Sequence, residues 1–142
     1  MLGGSSEEVL FKREIALSAH PAELWTARRF FAAAAAEFGL AERSRYRATT
    51  AANEAVSNAI RHGAPFPEGV IYLGAAAEDD ELVCTVHDGG SFELLGGAER
   101  DPWSEQGRGL PLMSLLVDEV AIATGSEGTV VRLSTRREDS PP

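Results

Sequence analysis

The chain has 142 residues, 44% of them hydrophobic and 25% charged, with a formal net charge of −9. That length and balance fit one globular domain over residues 1–142 rather than two. The acidic surplus argues against a nucleic-acid binder, which needs a basic surface to meet phosphates, and suits a cytoplasmic protein with a basic partner.

Met1–Ser6 lacks the basic segment and apolar core of a signal peptide. Val9–Leu17 alternates and is rich in β-formers, which predicts a first strand. Ser18 or His20 is placed to cap the next helix, over Ala22–Phe38, with Pro21 in its first turn. The core stripe of that helix is Leu24, Ala27, Phe30, Phe31, Ala34 and Phe38, and Gly39 stops it. The longest apolar run, Phe30–Ala36, is far short of the roughly 20 residues that cross a bilayer. A second helix is expected over Glu42–His62, with Gly63 as its cap, followed by a loop over Ala64–Gly69. Val70–Ala77 and Leu82–His87 read as two strands of a hairpin around the acidic turn Glu78–Asp80. On the second strand Leu82, Cys84 and Val86 share one face and Val83, Thr85 and His87 the other. Cys84, the single cysteine, forms no internal disulfide and reads as a small core residue. The long stretch Ser91–Gln106 has the length of a functional loop. A helix opens at Gly107 and runs to about Val117. Val120–Thr124 and Thr129–Thr135 close the chain as two strands around a Gly125–Gly128 turn, and Arg136–Pro142 is a polar tail expected to fray. The order β-α-α-β-β-loop-α-β-β predicts an α+β fold, a mixed, mostly antiparallel sheet with helices on one face.

Three places carry chemistry. In the second helix, residues four apart lie about 40° from one another around the axis, so Glu54, Asn58 and His62 form a polar stripe beside the apolar Ala52, Ala55, Val56, Ala59 and Ile60. An amide oxygen there suits a hard cation such as Mg²⁺, and a carboxylate one turn away suits a base on a hydroxyl. Asp88-Gly89-Gly90 ends a strand, where a carboxylate can accept a hydrogen bond from an exocyclic amine such as that of adenine, and glycine lets a flat ring approach the backbone. Gly107-Arg108-Gly109 opens a helix, a pattern that admits phosphates to free N–H groups. Taken singly, the first two read more readily as a polar helix face and an Asp-Gly turn, and the third equally as a loop ending at a helix. Neither the P-loop pattern nor the dinucleotide fingerprint is present; Leu112 stands where the third glycine of the latter would fall.

In order, Glu54-x-x-x-Asn58, Asp88-x-Gly90, Gly107-x-Gly109-Leu110 and Gly128-Thr129 resemble the N, G1, G2 and G3 boxes of the GHKL ATP-binding superfamily, across about residues 9–135. Within it, Asn53-Glu54-Ala55-Val56-Ser57-Asn58-Ala59-Ile60-Arg61-His62-Gly63 and Gly107-Arg108-Gly109-Leu110, with Asp118 just before a strand, are most similar to anti-sigma factors of the RsbW/SpoIIAB type, which are serine/threonine kinases. The resemblance implies a two-layer α/β sandwich, the Bergerat fold. It implies Asn58 as a ligand of the Mg²⁺ of Mg-ATP and Glu54 as the catalytic base. It implies Asp88 and Gly90 at adenine, Thr129 in support, Gly107, Arg108 and Gly109 at the phosphates, and Ser91–Gln106 as an ATP lid. It further implies a homodimer that sequesters a sigma factor and phosphorylates a serine of an anti-anti-sigma (STAS-domain) partner; the charge and the short apolar runs add the expectation of no direct nucleic-acid partner and no membrane. The chain departs from the pattern in its acidic lid, whose one cation is Arg100, and in the absence of a second glycine two after Gly90. His62 is either a phosphate contact or a cap of its helix. A nucleotide-switched binding module without kinase activity, or the catalytic domain of a split histidine kinase, remain the alternatives.

Overall fold

The computed structural model describes residues 9–62, 69–89 and 109–138. The elements in chain order are β1 (Val9–Ser18), α1 (Leu24–Phe38), α2 (Glu42–His62), β2 (Val70–Glu78), β3 (Glu81–Asp88), α3 (Gly109–Leu116), β4 (Glu119–Gly125) and β5 (Gly128–Arg136). The five strands form one sheet in the order β1-β2-β3-β5-β4, and all four pairings are antiparallel. The largely antiparallel expectation therefore holds, with no parallel pair among the described strands.

Sequence explains the layering. On β3, Leu82, Cys84, Val86 and Asp88 point to one face, opposite Thr135, Leu133, Val131 and Thr129 of β5. On β2, Ile71, Leu73, Ala75 and Ala77 are buried on that same face. Against it lie Ala27, Phe31, Ala35 and Phe38 of α1 and Ala48, Ala51, Ala52, Ala55, Val56 and Ala59 of α2. Alanine at so many helix positions lets the two helices pack closely on each other and on the sheet, while Phe31, Ile71, Leu73, Leu82 and Leu133 supply the bulk. Each fully buried large side chain contributes about 1.5–3 kcal/mol from area removed from water.

The element ends have identifiable causes. A 3₁₀ turn over Pro21–Glu23 precedes α1, with His20 capping it through Nδ1, which accepts from the Ala22 N–H at 3.0 Å. The helix expected from Ala22 thus begins two residues later, because Pro21 starts the tighter turn. Gly39 ends α1 in the left-handed region, φ 99°, and its N–H bonds back to the carbonyls of Ala35 and Ala36. Asp79 takes φ 54° at the β2–β3 turn, a conformation that Asp tolerates better than most residues. The C-terminal stretch departs from the frayed tail expected of it. Arg136 belongs to β5, the Arg137 guanidinium lies 4.1 Å from the centre of the Phe38 ring and donates to the Phe38 carbonyl, and Glu138 accepts from the Ala41 N–H. The Gly63 cap, most of the loop after it and the last four residues lie outside the described residues.

Candidate nucleotide site

The second half of α2 carries the first part of the site. Its buried side fixes the helix on β3 and β5 and turns Glu54, Ser57, Asn58 and Arg61 toward the rim. Arg61 holds this rim together. Its Nη1 donates to Ser57 Oγ at 2.6 Å, its Nη2 donates to Asn58 Oδ1 at 2.6 Å, and the same Nη2 lies 3.9 Å from Glu54 Oε2. The expected pairing of Glu54 with Asn58 on one stripe is therefore present, but its third member is Arg61 rather than His62, which is exposed at the last turn. Arg61 was legible as i+3 from Asn58 and i+7 from Glu54, the spacing that puts three side chains on one helix face.

The second part lies at one end of the sheet. Asp88, the last residue of β3, is 5% exposed and sits opposite Thr129 of β5, which is 1% exposed. Thr129 Oγ1 also lies 3.0 Å from Thr124 Oγ1 across the β4–β5 hairpin. Thr124 was missed from sequence; its register opposite Thr129 around the Gly125–Gly128 turn was the available signal. Gly128 adopts φ 113°, and a Cβ there would collide with the carbonyl oxygen of Asp88. The Asp88 and Gly128-Thr129 motifs, 40 residues apart in the chain, are thus pressed together by the β3–β5 pairing.

Packing places these parts on the same side of the molecule. Arg43, Ser44 and Arg47 at the start of α2 line a cleft with Thr135–Glu138, at the far end of β5 from Thr129. A helix of 21 residues rises about 30 Å, so the half bearing Glu54 and Asn58 extends toward the Asp88–Thr129 end. Arg47 Nη2 donates to the carbonyl of Leu115 at 2.8 Å and fixes the C-terminus of α3 near the first half of α2. Asp118 turns the chain out of α3 onto the sheet, its carboxylate accepting the Arg136 N–H at 2.6 Å. Gly90, Gly107, Arg108 and the expected lid Ser91–Gln106 lie outside the described residues.

The family model of the histidine kinase-like ATPase domain matches residues 17–135. The chain belongs to that family. Among solved structures, the RsbU and RsbW domains of Rv1364c from Mycobacterium tuberculosis match with a TM-score of 0.70 and 26% identity. The match covers 89% of this chain and 32% of that one, so the chain spans about a third of its structural neighbour. No curated protein sequence matches it.

As a histidine kinase-like ATPase domain the chain binds ATP, and its described donors can be tested against that ligand. Asn58 Oδ1 and Glu54 Oε2 already converge on one cationic nitrogen, which shows that two hard oxygen donors a turn apart serve a single positive charge. Mg²⁺ takes one or two such protein oxygens together with phosphates and water, so the donor set fits. A carboxylate at a strand end, shielded from bulk water, likewise fits a neutral exocyclic amine.

Proposed function

We propose that this ATPase-family domain is a cytoplasmic anti-sigma factor with protein serine/threonine kinase activity, active as a homodimer. It would sequester a sigma factor in one nucleotide state and phosphorylate a serine of an anti-anti-sigma STAS-domain protein in another. The observation that carries the reading is Glu54 one helical turn before Asn58, with its carboxylate side chain 26% exposed. An oxygen on that rim reaches a partner's hydroxyl while staying beside the metal ligand. The likeness to a structure containing an RsbW domain supports the same reading.

In this mechanism Asp88 accepts the adenine amino group, and Thr129 holds the strand end against it. Gly90 would let the ring approach, and Gly107, Arg108 and Gly109 would receive the phosphates. Asn58 would hold Mg²⁺, which would supply neutralisation of charge on the phosphates. Glu54 takes the proton from the partner's serine as its Oγ bonds to the γ-phosphorus and the bond to ADP breaks. Most of the acceleration in such a reaction is positioning and charge neutralisation.

The test begins with capture of partners from lysate of the source organism in Mg-ATP and in Mg-ADP, followed by a γ-phosphate transfer assay on the proteins recovered. A STAS protein phosphorylated on serine, with Glu54→Gln slowing transfer about 10²–10⁴-fold while ATP affinity stays within about twofold, is the expected outcome. Transfer at the wild-type rate in Glu54→Gln removes Glu54 from the base role. Partners that change with nucleotide but never accept phosphate select the switch module, and transfer to a histidine selects the split histidine kinase.

A further inference from the structure

We infer that Arg61 is a resident counter-cation on the Glu54–Asn58 stripe, and that Mg²⁺ loads by displacing it. The inference rests on the Mg-ATP reading above. Residues 54, 57, 58 and 61 fall on one face of α2, so a side chain at 61 folds back over the other three. The guanidinium uses both prongs of its fork, Nη1 on Ser57 Oγ at 2.6 Å and Nη2 on Asn58 Oδ1 at 2.6 Å. The Nη2 that holds Asn58 is also the atom 3.9 Å from Glu54 Oε2. The oxygen proposed to ligand the metal is thus engaged by a positive group, and the proposed base faces that same group.

Two cations compete for Asn58 Oδ1. Mg²⁺ requires its ligand oxygens at about 2.0–2.1 Å in a near-octahedral shell, and a guanidinium within hydrogen-bond distance of the same oxygen takes up one of its lone pairs and repels the ion. The metal-accepting state is therefore the fraction of molecules in which Arg61 has swung away, and the apparent metal affinity falls by that fraction. The Arg61 side chain is 54% exposed, so it has room to leave and its hold on the stripe is moderate. A closed fraction of about 70–90% corresponds to a weakening of metal binding of roughly three- to tenfold. Arg61 would thus set the metal concentration at which the site becomes competent and leave the chemistry to Glu54 and Asn58.

The experiment measures binding, not turnover. The full chain is titrated calorimetrically with a non-hydrolysable ATP analogue across a series of Mg²⁺ concentrations, in wild type, Arg61→Ala, Arg61→Gln and Asn58→Ala, with circular dichroism to confirm folding. Wild type is expected to bind in a Mg²⁺-dependent manner, and Asn58→Ala to lose that dependence. Arg61→Ala and Arg61→Gln are expected to lower the half-saturating Mg²⁺ concentration about three- to tenfold. An unchanged or raised value in both Arg61 variants, with the wild-type and Asn58→Ala behaviour as expected, overturns this inference and leaves the Mg-ATP reading standing. Absence of Mg²⁺-dependent binding in wild type overturns that reading and this inference with it.

Discussion

Cys84 and Asp88 sit four residues apart on the same face of β3, one beneath the helices and one at the strand end. The thiol is 3% exposed beneath the helices, and burial pushes its pKa up from 9.0 to about 12. Asp88 is nearly as buried but ends the strand, opposite the hydroxyl-bearing Thr129, where a polar group has polar company. For Cys84 the raised value makes the folded state prefer the neutral thiol. Its contribution to stability is whole below pH 9.0, the unfolded value, and is lost as pH climbs from there toward 12. Each pH unit in that window is worth about 1.4 kcal/mol, so urea unfolding at pH 10.5 should show about 2 kcal/mol lost through this group alone. Cys84→Ala should give a flatter curve above pH 9, and the native wild-type thiol should resist aromatic disulfide reagents at pH 8. Parallel pH profiles for the two proteins would mean that Cys84 is not sealed in the core.

The β4–β5 hairpin shows how an element builds a site. Its turn joins Gly125 to Gly128, and Gly128 then passes so close to the end of β3 that no side chain fits between it and the Asp88 carbonyl. Gly128→Ala combines a left-handed φ with a backbone collision, so the hairpin must shift away from β3. The expected loss is about 2–4 kcal/mol of stability, read by chemical denaturation, together with weaker adenine-nucleotide binding. A variant of wild-type stability that still binds nucleotide would deny the contact. Much of this level was legible beforehand. α2 spans Glu42–His62, as its 3.6-residue periodicity and flanking glycines predicted, and the strands extend the expected runs by only a residue or two at their ends. What periodicity could not supply was anything set by packing between distant segments. The Asp88–Thr129 register depends on β5 inserting between β3 and β4. The anchoring of Arg137 on Phe38 joins residues 99 apart in the chain, and composition alone made that stretch a tail. Arg61 stood inside the motif that was read and its spacing put it on the same face, but its contacts with Ser57 and Asn58 came only with side-chain geometry.

At the scale of the whole molecule, the sandwich keeps its hydrophobic core under α1 and α2 and puts its polar chemistry where β3, β5, α2 and α3 end or begin. A ligand bound there touches several elements at once and must stabilise all of them together. Nucleotide that binds the folded state alone adds RT ln(1 + [L]/Kd), about 2.7 kcal/mol at a hundredfold excess over Kd. For a domain of this size each kcal/mol raises Tm by roughly 3–5 °C, so saturating Mg-ATP should raise it by roughly 10 °C. The net charge of −9 opposes binding of a polyanion, so under the proposed Mg-ATP reading the shift should be larger with Mg²⁺ and should grow as added salt screens the repulsion. Asp88→Asn tests whether the strand-end carboxylate recognises adenine, as proposed, apart from phosphate binding. It removes the negative acceptor and leaves the α2 stripe untouched, so a tenfold loss of affinity should subtract about 1.4 kcal/mol and halve the Tm shift at the same ATP concentration. The comparison uses the shift in each protein rather than Tm itself, because the substitution changes the unliganded stability too. An undiminished shift in Asp88→Asn would place adenine elsewhere. A diminished shift for ATP and ADP alike, with none for GTP in either protein, would tie the strand-end carboxylate to the base rather than to the phosphates.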